Sequence, residues 1–98
     1  MITTKQRAYL RALAAGIAPV TQVGKNGVTE PLIKTLSDAL EAHELIKLSV
    51  LETCPATPRE VSDALCAALS CDPVQVIGRK VSLYRPSSDP DKRKIQLP

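Results

Sequence analysis

Aromatic side chains are almost missing from this chain. They make up 2% of its 98 residues, with two Tyr and no Trp or Phe. A sheet that reads single-stranded RNA by stacking bases needs two or three exposed rings. Tyr9 and Tyr84 are the only candidates and fall on separate predicted elements, so base stacking fits poorly. The core must be built from Leu, Val, Ile and Ala, within an ordinary hydrophobic fraction of 44%.

Long apolar runs are missing too. None approaches the ~18 residues of a membrane span, and the N-terminus lacks the apolar stretch of a signal peptide. Cysteine is sparse: Cys54, Cys66 and Cys71 are odd in number and form no Cys-x-x-Cys. A reduced, cytoplasmic setting is expected. A zinc site would have to recruit His43 or a carboxylate at spacings unlike the common patterns, so no metal is expected. No Ser/His/Asp constellation is visible, and neither a catalytic residue nor a cofactor is expected. Repeats and low-complexity segments are absent as well.

Acidic residues are scarce in the first third. Before Asp38 the only acid is Glu30, whereas Lys5, Arg7, Arg11, Lys25 and Lys34 all fall there. The net charge is +3 and the pI about 8.9. A basic first third suggests a side that faces a polyanion, with a merely solvated surface as the bland alternative.

Hydrophobic spacing supplies the elements. Thr3 or Thr4 caps a helix from about Lys5 to Ala15, with Leu10, Leu13, Ala14 and Ile17 as its apolar stripe. A strand at Val20–Val23 follows. The next helix runs from Glu30 to about Ala42 and buries Leu32, Leu36, Ala39 and Leu40. The alternation in Leu45–Leu51 predicts a strand with Ile46, Leu48 and Val50 on one face and Lys47 and Ser49 on the other, so Lys47 projects from a fixed frame. Thr57-Pro58-Arg59-Glu60 is a capping box with proline at the first helical position. It opens a third helix with Val61, Ala64, Leu65, Ala68 and Leu69 facing inward, and Cys66 beside them as a small core residue. Strands at Val74–Ile77 and Val81–Tyr84 flank Gly78-Arg79-Lys80, a tight hairpin with Arg79 and Lys80 at or beside its tip. Ser87–Asp91 reads as a loose linker before Lys92-Arg93-Lys94, after which Ile95 and Leu97 can dock back. The expected fold is α/β (α+β two-layer), a four-stranded mixed sheet with three helices in the order α-β-α-β-α-β-β.

Between the first strand and the second helix lies Val23-Gly24-Lys25-Asn26-Gly27-Val28-Thr29-Glu30-Pro31. Two glycines bracket Lys25 and Asn26, Thr29 is a good N-cap, and Pro31 falls in the first helical turn. A tight corner delivering a helix N-terminus and one lysine suits a phosphate. It is neither a nucleotide P-loop nor the dinucleotide fingerprint, and a lone Gly-x-x-Gly is often just a turn.

Several separated segments together resemble one family. Thr4-Lys5-Gln6-Arg7, Val23–Thr29, His43-Glu44-Leu45-Ile46-Lys47, Gln75-Val76-Ile77-Gly78 and Leu83-Tyr84-Arg85-Pro86 occur in the order found in the CRM domain (chloroplast RNA splicing and ribosome maturation). In its single-domain form the chain looks like the bacterial YhbY-like RNA-binding proteins. The segment from Cys54 to Asp72 agrees only in its helical pattern. The resemblance implies a fold similar to the C-terminal domain of translation initiation factor 3 and an RNA-binding domain over residues 1–86, while composition makes 87–98 a linker with a basic tail, in which Ser87–Asp91 is extra to the family pattern. It also implies association with ribosomal RNA in precursors of the large ribosomal subunit, and use of Gly24, Lys25, Asn26 and Gly27 to hold RNA. Lys47 and Arg85 match family positions.

Arg7, Arg11, Lys47, Arg79, Lys80 and Arg85 are therefore expected to join the glycine corner in an RNA-binding set, with the Lys92–Lys94 cluster adding diffuse attraction. With few aromatics, recognition should rest on RNA shape and phosphates, which favours structured RNA. Two other readings stay open: a protein–protein adaptor on the assembling ribosome, and an enzyme acting on a phosphorylated small molecule held at the same corner.

Overall fold

A computed structural model describes residues 2–89, 91, 93, 95 and 97. Lys92 and Lys94 of the expected basic tail lie outside the described residues. The elements are α1 (Thr4–Ala14), β1 (Thr21–Val23), α2 (Glu30–His43), β2 (Leu45–Val50), α3 (Pro58–Leu69), β3 (Asp72–Ile77) and β4 (Lys80–Tyr84). Each helix starts where its side chains can satisfy the first free amides. Thr3 with Gln6 and Thr57 with Glu60 form reciprocal capping boxes, and Thr29 accepts from the amide of Leu32.

The four strands form one mixed sheet in the order β1-β2-β4-β3. β1 runs parallel to β2, and β4 is antiparallel to both β2 and β3. The connections β1-α2-β2 and β2-α3-β3 therefore step across the sheet in the same direction, the second leaving a gap that β4 fills. Right-handed crossovers in the same direction place their helices on the same face. Accordingly Leu36 and Leu40 of α2 and Val61, Leu65 and Leu69 of α3 share one core cluster with Ile46, Leu48, Val50, Val81 and Leu83.

The α+β fold, with three helices and a four-stranded mixed sheet, is the one that the sequence pattern predicts. Its layering differs from the expected two layers. α1 precedes the first strand, is not a crossover, and packs on the opposite face, where Leu10 and Ala14 join Leu45, Val74 and Tyr84. β2 is consequently covered at Leu45 on that face as well, where Ser49 is also buried and Lys47 is half-buried.

Within α3 the inward stripe is Val61, Ser62, Leu65 and Leu69, while Ala64 and Ala68 are exposed. The helix is rolled so that its larger side chains reach the sheet and the alanines, which lose little by exposure, lie outside.

The stretch after β4 also differs from a loose linker. Ser87 is fully buried, and its amide donates to Oε2 of the buried Glu44 at 2.9 Å, while the amide of Ile95 donates to Oε1 at 3.0 Å. A buried carboxylate must be met by donors, so Glu44 pins a segment whose Ser/Pro/Asp composition reads as mobile. Ile95 and Leu97 pack against the α1-side cluster, as their apolar character suggests.

Candidate nucleic-acid interface

The glycine corner is a four-residue turn closed by the amide of Gly27 donating to the carbonyl of Gly24 at 2.9 Å. Neither Lys25 nor Asn26 has a positive φ, so the turn has type I character, whereas Gly27 sits at φ +64. Lys25 and Asn26 are exposed at the tip, and among the described residues their amides have no hydrogen-bond partner. Gln22, Val23, Thr29 and Leu32 complete a shallow concavity of about 380 Å³ on the corner. The α2 N-terminus follows directly, with Thr29 as its cap.

The corner stands at the carboxyl ends of β1 and β2, a place where open sheets commonly bind ligands. Register brings other cations to the same end. The amide of Leu51 donates to the carbonyl of Val23 at 2.9 Å, which ties the chain after β2 to the start of the corner. The β3–β4 hairpin turns through Gly78, at φ +55, and Arg79. Arg79 Nη1 donates to the carbonyl of Leu51 at 3.4 Å, and the amide of Val50 donates to the carbonyl of Arg79 at 2.7 Å. Lys80 is the first residue of β4 rather than the tip itself, and its Nζ donates to Ser49 Oγ at 2.6 Å. Arg79 and Lys80 thus lie at and beside the hairpin tip, as the hairpin reading implied, and the bonds to Val50 and Leu51 bring that tip to the end of β2.

On the sheet face shared with α1, cross-strand partners form two polar rows whose central Ser49 and Ser82 are buried. One runs Gln22–Ser49–Lys80–Ile77 and the next Lys47–Ser82–Gln75. Lys47 is half-buried in the second row. Arg7 and Arg11 reach the outer edge of this sheet: Arg7 Nε donates to the carbonyl of Pro73 at 3.2 Å and Arg11 Nε to that of Val74 at 3.4 Å. Arg59, in the first turn of α3, lines the same edge groove. Sequence reading missed Arg59, because in Thr57-Pro58-Arg59-Glu60 it is seen only as filler within a capping box.

Arg85 is not brought to this surface. It emerges from β4 on the side of α2 and α3, where Nη1 donates to the carbonyl of Leu69 at 3.1 Å and Nη2 to the carbonyl and hydroxyl of Ser37 at 3.1 and 3.2 Å. Glu41 completes the set at 3.5 Å. Its fork thus bridges the two helices, away from the face that carries Lys47 and the edge that carries Arg7 and Arg11.

Burial pushes the Cys71 thiol up to about 12 and raises that of Cys66, whose sulfurs are 3.7 Å apart, so both stay protonated and weakly nucleophilic. Among the described residues no group of three or more His, Cys, Asp or Glu side chains could hold a metal ion, and no helix is long and apolar enough to cross a membrane.

The CRS1 / YhbY (CRM) domain model matches residues 2–85 of the chain. A Bacillus subtilis protein named "Probable RNA-binding protein YqeI" is 42% identical over 98 residues, all of both chains. A Haemophilus influenzae protein named "RNA-binding protein" is 38% identical over 97 residues, covering 99% of this chain and 95% of its own. The solution structure of a Staphylococcus aureus protein, described as a candidate RNA binder, superposes with a TM-score of 0.83 at 42% identity and full coverage of both chains.

Proposed function

The chain belongs to the CRS1 / YhbY (CRM) domain family, and on that premise we propose that it binds structured RNA through the glycine corner and the cations around it. Exposed Lys25 and the amides of Lys25 and Asn26 would hold backbone phosphates at Gly24–Gly27, next to the N-terminus of α2. Arg79, Lys80 and Lys47 extend the cationic surface from that end down the sheet face, and Arg7 and Arg11 continue it to the edge. The observation that carries the reading is this adjacency. The Arg79–Leu51 bond places the hairpin tip against the chain that leaves β2 beside Gly24, so separate cationic segments meet at one open corner. Relatives named as RNA-binding proteins support it.

The finer reading is a cytoplasmic ribosome assembly factor that associates with ribosomal RNA in precursors of the large subunit and acts by binding, not catalysis. With Tyr84 buried and Tyr9 on α1, no pair of rings is set on the open sheet face, so phosphates and RNA shape would do the recognising. In-cell crosslinking that maps both nucleotides and amino acids tests this. Crosslinks from Lys25, Asn26 or Arg79 to large-subunit precursor RNA are expected. Crosslinks confined to ribosomal proteins would instead establish the adaptor reading, which draws on a groove of about 410 Å³ lined by Leu13, Ile17, Val20, His43, Leu45 and Ile95.

A further inference from the structure

We infer that Arg7, Arg11 and Arg59 form a second phosphate-gripping groove along the outside of edge strand β3, which holds the same RNA at a point separate from the glycine corner. The inference rests on the RNA-binding reading above and goes beyond it in assigning a site, an added residue and a two-point mode of attachment.

The groove, of about 450 Å³, is lined by Pro73–Ile77 and by three arginines from two helices on opposite faces of the sheet. Successive carbonyls of a regular strand point to opposite sides. The register shift between Pro73 and Gln75 marks a bulge at Val74, and there the consecutive carbonyls of Pro73 and Val74 both accept from α1 arginines. Each of these arginines uses Nε, which fixes the guanidinium plane and leaves the paired terminal nitrogens as a fork suited to phosphate. Arg7 and Arg11 are one helical turn apart, with Cβ atoms roughly 5–6 Å from each other. Arg59 is exposed and approaches from the α3 side. No acidic side chain lines the groove, and among the described residues none of the three arginines is ion-paired. Three like charges without an ion pair make a positive patch, whose repulsion water and salt screen in part and a bound anion would relieve further.

The strand edge itself argues against an extended acidic peptide adding as a fifth strand. Pro73 has no N–H, two outward carbonyls are already occupied, and the bulge twists the edge. A chain of phosphates gripped by side chains needs none of those backbone groups. β3 also leads through Ile77 into the Gly78-Arg79 tip beside the glycine corner, so the two sites are joined along one strand.

The test compares Arg59→Gln, Arg59→Lys and Lys25→Gln in the full chain, using a labelled RNA stem-loop titrated over a range of salt. Arg59→Gln should weaken binding several-fold and make the log–log salt slope shallower by about 1. Arg59→Lys should restore most of the slope, since it keeps the charge and loses only the fork. Combining Arg59→Gln with Lys25→Gln should give additive losses, as expected for separate sites. Thermal unfolding, which should be unchanged because Arg59 is exposed, keeps a folding defect from passing as a binding one. Loss on Lys25→Gln with no change on Arg59→Gln would overturn the groove and leave the RNA reading standing. A flat salt response of the unaltered protein would sink both. Retention of a polyglutamate peptide by the unaltered protein but not by Arg59→Gln, with RNA affinity equal in the two, would give the groove to an acidic peptide and overturn the proposal.

Discussion

Gly27 closes the corner on Gly24 through a 2.9 Å hydrogen bond, yet the two glycines are not equivalent. Gly27 has φ +64, which an L side chain adopts only under strain, whereas Gly24 has no positive φ and a Cβ there would sit in ordinary contact with Leu51 Cδ1 at 3.7 Å. Gly27→Ala should therefore lose about 1–2 kcal/mol of stability, while Gly24→Ala should unfold within ~1 kcal/mol of the parent. Gly24→Asp keeps the backbone and places a negative charge next to Lys25. It should remain folded and bind RNA several-fold more weakly. Denaturant titration and RNA binding on the same three proteins separate the two effects, and unchanged binding by Gly24→Asp would move the RNA site away from the corner.

Affinity should depend steeply on salt. If the corner and its cations neutralise about four phosphates, log affinity for a structured RNA falls with log salt at a slope near −3. A scrambled stem of the same length should show nearly the same slope, because phosphate contacts carry no sequence information. Binding that is insensitive to salt would exclude this mode.

Arg85 should behave as a structural residue. Its guanidinium donates to Leu69 and Ser37 and pairs with Glu41 from a half-buried position. Arg85→Ala removes a donor from the carbonyl of Leu69 at the end of α3 and from that of Ser37 in the middle of α2, and should cost roughly 1.5–3 kcal/mol, as for hydrogen bonds involving a charged group. Arg85→Lys should recover only part of this, since an ammonium cannot bridge both carbonyls with the planar fork. RNA affinity of the folded fraction should be unchanged. A selective loss of RNA binding at unaltered stability would return Arg85 to the interface.

The elements were legible because their signals are local: the Thr57–Glu60 capping box, the alternation in Leu45–Val50, and glycine at the hairpin. The glycine corner was legible for the same reason. What could not be read is where side chains go once the layers stack. Lys47 and Arg85 look alike as basic residues at strand ends or middles, yet the register sends Lys47 to the half-open α1 face and Arg85 between α2 and α3. Arg59 became visible only when α3 was placed beside the β3 edge, more than ten residues along the chain. The docking of Ser87 depends on Glu44, which ends α2 at a positive φ and is fully buried, neither of which a glutamate in sequence announces.

Acid should loosen the segment around Ser88 before it disturbs the sheet. The hydroxyl of Ser88, then its amide, hold Glu41 below its ordinary value of 4.5, with lesser contributions from Ser87 and Arg85. Glu60 is lowered likewise by the amide and hydroxyl of Thr57 in the α3 capping box. A carboxylate whose folded value lies below its unfolded one stabilises the fold fully above the unfolded value, and that stabilisation is lost as pH falls through the folded value. Stability should therefore be flat from neutral pH down to about the ordinary carboxylate value and decline below it. Both groups are solvent-facing, so screening keeps the effect modest, and added salt should reduce only the part owed to Arg85. Glu41→Gln should flatten the acid limb of a plot of melting temperature against pH, and amide exchange at Ser88 should speed up in the same variant at neutral pH. An acid limb identical in the parent and in Glu41→Gln would mean that the Ser87–Ser88 contacts contribute nothing to holding the segment after β4 in place.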